Sequence, residues 1–130
     1  MKYAYPAIFY PDGECISVDL VDFPGCETFG NNMADALLMT KELLEYRLYV
    51  AENQNEPFPI PSKLEDIEVE PGHVLNLVAA DTDAYRREHD TENVSKVVFI
   101  PSWLHYQAEI ANAPFSEIMK QGLEDYLRAV

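Results

Sequence analysis

One apolar stripe constrains the fold of this chain more than any other feature. Between residues 32 and 52, apolar side chains recur at steps of three and four residues, the spacing of one helix face. Asn31 or Asn32 is suited to cap such a helix, and Asp35 suits the positive charge of its first turn. The stripe consists of Met33, Ala36, Leu37, Thr40, Leu43, Leu44, Leu48 and Ala51. A helix with one apolar face needs a second surface to cover it, so we expect it to lie on a sheet.

An antiparallel hairpin is expected ahead of this helix. Residues 3 to 10 are aromatic and β-prone, and the turn signal Pro11-Asp12-Gly13 follows them. Residues 14 to 20 then alternate between apolar and polar side chains, which indicates a strand with one buried face and one wet face. A shorter strand-like segment covers residues 26 to 29. Because proline cannot donate to a strand ladder, Pro6 predicts that the first strand lies at a sheet edge.

The region after the helix divides into a connection, a strand and a charged segment. Four prolines between residues 53 and 72 predict an extended, polyproline-like spacer. Residues 74 to 80 are apolar on both faces, which is typical of a strand that is paired on both sides. Residues 84 to 92 are densely charged and predict a linker or an exposed helix. We therefore expect a body that spans residues 1 to 83.

The segment from residue 93 to residue 130, here called the tail, predicts one strand and two short helices. The β-prone run from Val94 to Ile100 stops at Pro101, and Phe115 opens the second helix. So small a module cannot bury enough apolar surface alone. Two copies that paired their strands would share one core. The residues expected in that dimer interface are Val98, Ile100, Trp103, Leu104, Ile118 and Leu123.

The net charge of −14 is unevenly divided along the chain. The tail carries three basic and four acidic side chains, so its net charge is −1 and residues 1 to 92 carry −13. Such a charge repels polyanions and attracts basic proteins at long range, although it also simply favours solubility. A basic protein is therefore expected to bind the body, and nucleic acid only the tail. Candidate contacts for the basic partner, or else a solvated edge, are Asp12, Glu14, Asp19 and Asp22.

Targeting and metal-binding signals are absent from the sequence pattern. No apolar run approaches the ~20 residues that cross a bilayer, and we expect a cytoplasmic protein without membrane contact. Cys15 and Cys26 are expected to be reduced thiols. His73, His89 and His105 have no metal-ligand spacing, so neither a metal nor a cofactor is expected.

Several short segments stand in a fixed order along the chain. Upstream they are Pro24-Gly25-Cys26-x-Thr28-x-Gly30, the following helix with Ala34 and Ala36, and Ile60-Pro61-Ser62. Downstream they are Asp81-x-Asp83-x-Tyr85-Arg86, Val94-Ser95-Lys96, Ile100-Pro101-x-Trp103-Leu104 and Phe115-Ser116. The upstream set resembles the HicB antitoxins, and the downstream set is similar to their branch with a ribbon-helix-helix tail. The resemblance covers nearly the whole chain, and the order of the segments is more specific than any one of them.

This resemblance implies a fold and a function. The implied fold class is α+β, with a partial ribonuclease-H-like body of an antiparallel hairpin, a short strand, a long helix and a further strand, followed by a ribbon-helix-helix tail. The implied function is that of an antitoxin that binds and masks a HicA-type toxin, a small basic mRNA-cleaving protein. The tail would form a homodimer and bind the operator DNA of its own operon, which would make the protein an autorepressor.

The tail strand departs from the pattern expected of a DNA reader. In a ribbon-helix-helix dimer the paired strands enter the major groove, and alternate side chains face the bases. Only one of the residues facing the bases would be polar in either register, so direct readout is expected to be poor. The N–H groups that open the second tail helix could contact phosphate. The candidate DNA contacts are Ser95, Lys96, Val97, Phe99, Phe115 and Ser116.

Two alternatives to an antitoxin remain open from the sequence. One is a solitary dimeric repressor or scaffold without a toxin. The other is a magnesium-dependent ribonuclease-H-like nuclease, for which Asp19, Asp22, Asp81 and Asp83 could supply carboxylates. Nothing in their spacing fixes a common site, and neither cysteine lies in a nucleophile motif. We therefore expect a binding protein rather than an enzyme.

Overall fold

The computed structural model describes all 130 residues, which divide into two units, Met1–Glu92 and Asn93–Val130. The first unit holds a four-stranded antiparallel sheet with the order β3-β2-β1-β4. Its strands are β1 (Lys2–Asp12), β2 (Cys15–Leu20), β3 (Glu27–Gly30) and β4 (Val74–Asp81). Its helices are α1 (Met33–Asn53), α2 (Thr82–His89) and a 3₁₀ turn at Leu64–Asp66. The second unit holds α3 (Ser102–Ile110) and α4 (Phe115–Ala129).

The predicted hairpin, short strand, long helix and further strand are all present. Strand β1 pairs with β2, and alternate β1 residues, Tyr5, Ala7 and Phe9, are buried in the core. The apolar stripe of α1 packs in the same core, where Leu44 and Leu48 are fully buried. The amide oxygen of Asn32, the residue before α1, accepts a hydrogen bond from Asp35 N at 2.9 Å. The stripe therefore lies on the sheet, as its period predicts.

Gly30 sets the distance between β3 and α1. A Cβ at this position would lie 2.2 Å from the backbone nitrogen of Ala36, far inside van der Waals contact. Ala36 is itself fully buried, so neither backbone can retreat without opening the core. The close packing of the short strand on the helix therefore depends on the absence of a side chain at residue 30.

Two predictions about strand positions are wrong. The strand that contains Pro6 is central, because β1 pairs with β2 on one side and with β4 on the other. The apolar strand β4 pairs only with β1 and lies at the sheet edge. The carbonyl of Pro6 accepts a hydrogen bond from Val21 N at 3.2 Å, just beyond the end of β2. An N–H at residue 6 would point to the same side as this carbonyl, past the last residue pair of the β1–β2 ladder. The proline therefore removes no hydrogen bond from within the ladder, and a central strand tolerates it.

The proline-rich connection between α1 and β4 is fastened to the first unit. The Tyr5 hydroxyl donates to the Pro59 carbonyl at 2.7 Å. The ring of Phe58 packs edge-on against Tyr3, with the ring centres 5.2 Å apart. These contacts hold the connection across the end of the core, so it is a structural part of the unit as well as a spacer.

The charged segment after β4 differs from a linker. Residues 82 to 89 form α2, which packs on α1. The Arg86 guanidinium lies 4.7 Å from the centre of the Tyr49 ring, and its Nη1 donates to Asn53 Oδ1 at 2.8 Å. Residues 84 to 92 thus belong to the first unit, and from here the body means the whole unit Met1–Glu92.

The tail has helices but no core of its own. No residue of α3 or α4 is buried, and the segment before α3 forms no strand in this chain. A β-strand forms a ladder of hydrogen bonds only with a neighbouring strand, and the tail of a single chain has no other strand for residues 94 to 100 to pair with. A ribbon-helix-helix arrangement thus stays a prediction that needs a second copy. None of the helices in either unit is long and apolar enough to span a bilayer.

Candidate functional site

One face of the sheet points away from α1, and we call it the open face. Side chains alternate along a strand, so Tyr5, Ala7 and Phe9 face α1 while the intervening residues of β1 point the other way. The register places on the open face Ala4, Pro6, Ile8, Tyr10, Ser17, Asp19, Glu27, Phe29, Leu75, Leu77 and Ala79. Phe29 is 61% exposed and Leu77 is 47% exposed. The open face therefore offers apolar surface to a partner.

Three carboxylates surround Tyr10 on the open face. The charge of Asp19 does most to raise the pKa of Tyr10, followed by burial and by the charges of Glu27 and Asp12. A phenol whose ionisation is opposed by neighbouring carboxylates reports a negative local potential. The ring of His73 stacks on Tyr10 with the ring centres 5.0 Å apart. This part of the open face is therefore suited to a cationic group from a partner.

The four acidic residues selected from the sequence are not equivalent in the structure. Asp12 accepts a hydrogen bond from a serine hydroxyl of β2 at 3.0 Å, and Glu14 lies exposed in the hairpin turn. Asp19 has a buried oxygen, Oδ1, without a hydrogen-bond partner. Asp22 accepts hydrogen bonds from the backbone N–H and the hydroxyl of Ser62, so it also fastens the connection.

The carboxylates considered for a magnesium site do not converge. Asp19 lies on the open face, Asp22 binds the connection, and Asp81 caps α2 by accepting from the N–H groups of Asp83 and Ala84. No group of three or more histidine, cysteine, aspartate or glutamate side chains is arranged to hold a metal ion. The nuclease alternative therefore finds no support in this geometry.

The histidines and cysteines likewise form no shared site. His73, His89 and His105 lie in three different places, beside the open face, at the end of α2 and in α3. Cys15 and Cys26 are not joined in a disulfide, and both are partly buried. The three histidines therefore do not gather at one place in the fold.

A network centred on Glu52 was missed from the sequence. Glu52 accepts hydrogen bonds from Tyr3 at 2.9 Å, from Thr82 at 3.0 Å and from Arg86 at 2.8 Å. Burial acts to raise the pKa of Glu52, but the hydrogen bonds from Tyr3, Arg86 and Thr82 outweigh it, and the pKa is lowered. Burial first, and then the hydrogen bond and charge of Glu52, raise the pKa of Tyr3 to about 12. The one available sequence signal was the Arg86-Arg87 pair within an acidic segment.

The candidate residues of the tail separate into two sets by exposure. Val97 is 83% exposed and Phe99 is 96% exposed, whereas Val98 is 46% exposed and Ile100 is 44% exposed. This alternation turns the candidate base-facing residues outward and the candidate interface residues partly inward. Ser95 and Lys96 are also exposed, and Phe115 and Ser116 begin α4 as expected.

The candidate interface residues on the tail helices are incompletely covered. Trp103 is 63% exposed, and Leu104, Ile118 and Leu123 are each more than two-fifths exposed. Apolar side chains in this number are rarely left in contact with water by a soluble protein. The tail thus carries an apolar surface without an occupant in the single chain.

Comparisons with known proteins identify the fold. No family model and no curated protein matches the chain. A chain of a toxin–antitoxin complex from Streptococcus pneumoniae superimposes with a TM-score of 0.65 at 22% identity, covering 97% of this chain and 99% of that one. The antitoxin HicB of Burkholderia pseudomallei superimposes with a TM-score of 0.54 at 20% identity, covering 97% of each chain.

A further structure matches a shorter part of the chain. A chain of the HicA3 and HicB3 toxin–antitoxin complex superimposes with a TM-score of 0.51 at 24% identity, covering 61% of this chain and 99% of that one. Identities of this order establish a shared fold and leave function to be argued from the site. The resemblance to HicB antitoxins is thus confirmed at the level of the fold, and this chain folds as the HicB antitoxin of Burkholderia pseudomallei does.

Proposed function

We propose that this protein is a HicB-type antitoxin whose acidic body binds and masks a small basic HicA-type toxin. The observation that carries the proposal is the fold shared with an antitoxin over 97% of the chain. The charge of −13 on residues 1 to 92 supports it, because such a surface accelerates encounter with a basic protein. The toxin itself would be the enzyme, and the antitoxin would act by binding alone.

The open face is the proposed docking surface for the toxin. It combines exposed apolar side chains with carboxylates around Tyr10, the mixture that protein interfaces use for affinity and orientation. The negative charge of Asp19 beside Tyr10 would attract an arginine or lysine of the toxin. The proposed toxin contacts are Asp12, Glu14, Asp19 and Asp22.

The tail is proposed to dimerise as a ribbon-helix-helix. Pairing the residue 94–100 segments of two copies would satisfy their backbone groups and bring the partly inward Val98 and Ile100 into a shared core. The helices would complete that core with Trp103, Leu104, Ile118 and Leu123. A dimer would thus supply the covering that each tail lacks alone.

Operator binding by the dimerised tail is proposed as a way to autorepress the operon. Ser95, Lys96, Val97 and Phe99 would face the bases, and the N–H groups of Phe115 and Ser116 would face phosphate. Two exposed apolar residues in the strand and a tail charge of −1 provide little polar readout and little non-specific attraction. We expect any operator affinity to be modest and strongly weakened by salt.

The test of the main proposal uses a partner encoded beside this protein's gene. If that neighbour is a small basic protein, co-expression should relieve its toxicity, and light scattering after size exclusion should detect a joint complex. A basic neighbour that neither binds nor is neutralised would refute the antitoxin proposal. The absence of any basic neighbour would instead favour the solitary repressor, and a mobility shift with upstream DNA at two salt concentrations would then decide.

A further inference from the structure

The free edge of β4 is built to pair with another strand. Eight residues of β4 pair with β1 in one continuous register, without a bulge. Between Val74 and Ala80 the strand has no charged residue and no proline, the usual devices that block edge pairing. Its other edge has no strand partner. An edge of this length and composition is a template for strand addition.

The hydrogen-bonding groups on this edge can be assigned residue by residue. Pro6, opposite Leu77, directs its carbonyl towards β2, so Leu77 belongs to a pair that does not bond across β1–β4. The N–H of Leu77 therefore points outward, where it donates to Asn76 Oδ1 at 2.9 Å. Backbone groups of alternate residues point to the same edge of a strand, so the N–H and C=O groups of Leu75 and Ala79 also point away from β1. Asp81, next in that series, donates its N–H to Glu45 Oε2 at 3.0 Å.

We propose that the occupant of this edge is β4 of a second copy of the same chain, paired antiparallel about a two-fold axis at Leu77. In this register Leu75 lies opposite Ala79 of the other copy, so the outward-pointing residues face one another and apolar side chains meet on the open face. At each end His73 lies opposite Asp81, so the polar residues that flank the apolar strand meet each other. The two sheets would join into one of eight strands.

Other registers are less suited to self-pairing. Moving the axis to Val78 sets the charged Asp81 opposite the apolar Leu75. Moving it to Asn76 sets Asp81 opposite Pro71, which is also apolar. Since unlike pairs weaken a ladder, the axis at Leu77, which sets Asp81 opposite the polar His73, suits the strand best.

Two features keep this pairing conditional. The Asn76 side chain occupies the central outward N–H and must turn away before a second strand can bond there. Both bodies carry −13, so their mutual repulsion opposes contact and is weakened by salt. Pairing through β4 is thus expected to strengthen with ionic strength. The interface is separate from the tail, and a tail dimer that also used it would assemble into larger species.

Charge substitution at the axis tests the pairing in the full chain. Leu77→Lys and Leu77→Glu each place like charges opposite one another, so each should lower the native mass measured by light scattering to that of the species the tail forms by itself. Leu77 is 47% exposed, and unchanged circular dichroism should accompany both changes. Mixing the two variants should restore the higher mass, because lysine then faces glutamate. Masses that equal the unmodified protein's throughout would overturn the proposal.

Cysteine cross-linking tests the register directly. In a background with Cys15→Ser and Cys26→Ser, Leu77→Cys should give a disulfide-linked pair, since bonded cross-strand residues lie ~5.5 Å apart. Ala79→Cys is the matched control. Residue 79 of one copy would lie four residues along the strand from residue 79 of the other, about 13 Å away, so this variant should not form a disulfide with itself. A mixture of Leu75→Cys and Ala79→Cys should link.

A different occupant would give a different result. If Leu77→Cys and Ala79→Cys formed disulfide-linked pairs to the same extent, the linking would come from random collision, and the proposed register would be overturned. Linking that appears only between Leu77→Cys and a cysteine on an added basic protein would assign the edge to that partner and overturn self-pairing. Because none of these readouts uses toxin neutralisation, their failure leaves the antitoxin proposal standing.

Discussion

The body and the tail are both rich in apolar side chains, but only the body buries them. In the body, residues from the sheet and α1 form a continuous core that includes Tyr5, Phe9 and Leu44. In the tail, residues of the same chemical type on α3 and α4 are all at least partly in water. A core therefore depends on having two elements that can cover each other. In the single chain, α3 and α4 leave their apolar side chains without such a cover.

The largest predicted change is in the free energy of unfolding, and it distinguishes a buried residue of α1 from an exposed one. Leu44→Ala should lower the free energy of unfolding by ~2–5 kcal/mol, because it opens a cavity at a fully buried site. Leu38→Ala on the same helix is the control and should change it by less than about 0.5 kcal/mol, because that side chain is exposed. Denaturant unfolding measures both. Equal losses would show that α1 is not held by the face that lies on the sheet.

A somewhat smaller effect is expected where α2 joins the body. Arg86→Gln should loosen α2 by ~1–3 kcal/mol, because it leaves the partly buried Glu52 without its cationic partner. The neighbouring Arg87→Gln makes the same change at an exposed residue and should have little effect. Amide hydrogen exchange of residues 82 to 89 would report the difference. Faster exchange in both variants, or in neither, would contradict the proposed anchoring role.

The tail should respond to concentration where the body does not. Trp103 is the only tryptophan of the chain, so its fluorescence reports on the tail alone. Its emission should shift to shorter wavelength as protein concentration rises and the ring becomes covered. Ile118→Glu should weaken this association at least ~10-fold, about 1.4 kcal/mol, while Gln121→Glu adds the same charge at a polar position and should not. An emission that ignores concentration would rule out tail dimerisation.

Alkaline pH should affect the body through Tyr3. Its pKa in the folded protein is raised from 10.0 to about 12, so folding favours the neutral phenol. That contribution is complete below pH 10 and is lost as the pH rises through about 12. Tyr3→Phe cannot ionise, so its stability should fall less over this interval in parallel unfolding experiments. Identical pH profiles for the two proteins would remove Tyr3 as the cause.

The smallest expected effect concerns encounter with the basic partner. Asp19→Asn removes one negative charge from the open face and should slow association about threefold at low salt. Asp125→Asn removes the same charge from the tail and should leave the rate unchanged. Stopped-flow binding at two salt concentrations compares them. Equal slowing would mean that only net charge matters and that the open face is not the docking surface.

Sequence patterns predicted the elements of the fold that are determined by residues close together in the chain. The period of residues 32 to 52 located α1 to within one residue, and the Pro11-Asp12-Gly13 signal located the hairpin. Strand order was mispredicted because Pro6 and residues 74 to 80 were read without knowing where each ladder ends. An apolar pattern describes the faces of a strand, whereas its position in the sheet depends on which edge is free to pair.

The candidate site was predicted less completely than the fold. Asp12 and Asp19 were selected because acidic residues cluster along the hairpin, and the structure adds Glu27, which only β2–β3 pairing brings beside them. The network around Glu52 joins residues that are far apart in the chain, so no spacing rule reveals it. Contacts of this kind follow from the packing of α2 on α1, whereas charge density alone predicts a linker or an exposed helix there.

The missing side chain at Gly30 has a consequence for recognising this fold in other sequences. At 20 to 24% identity, most positions differ between this chain and the solved chains that share its fold. A position that admits no Cβ cannot change without moving a strand away from a helix. We therefore expect glycine at this position even in chains that differ from this one at nearly all other residues. A glycine there would mark chains that share the close contact between this strand and this helix.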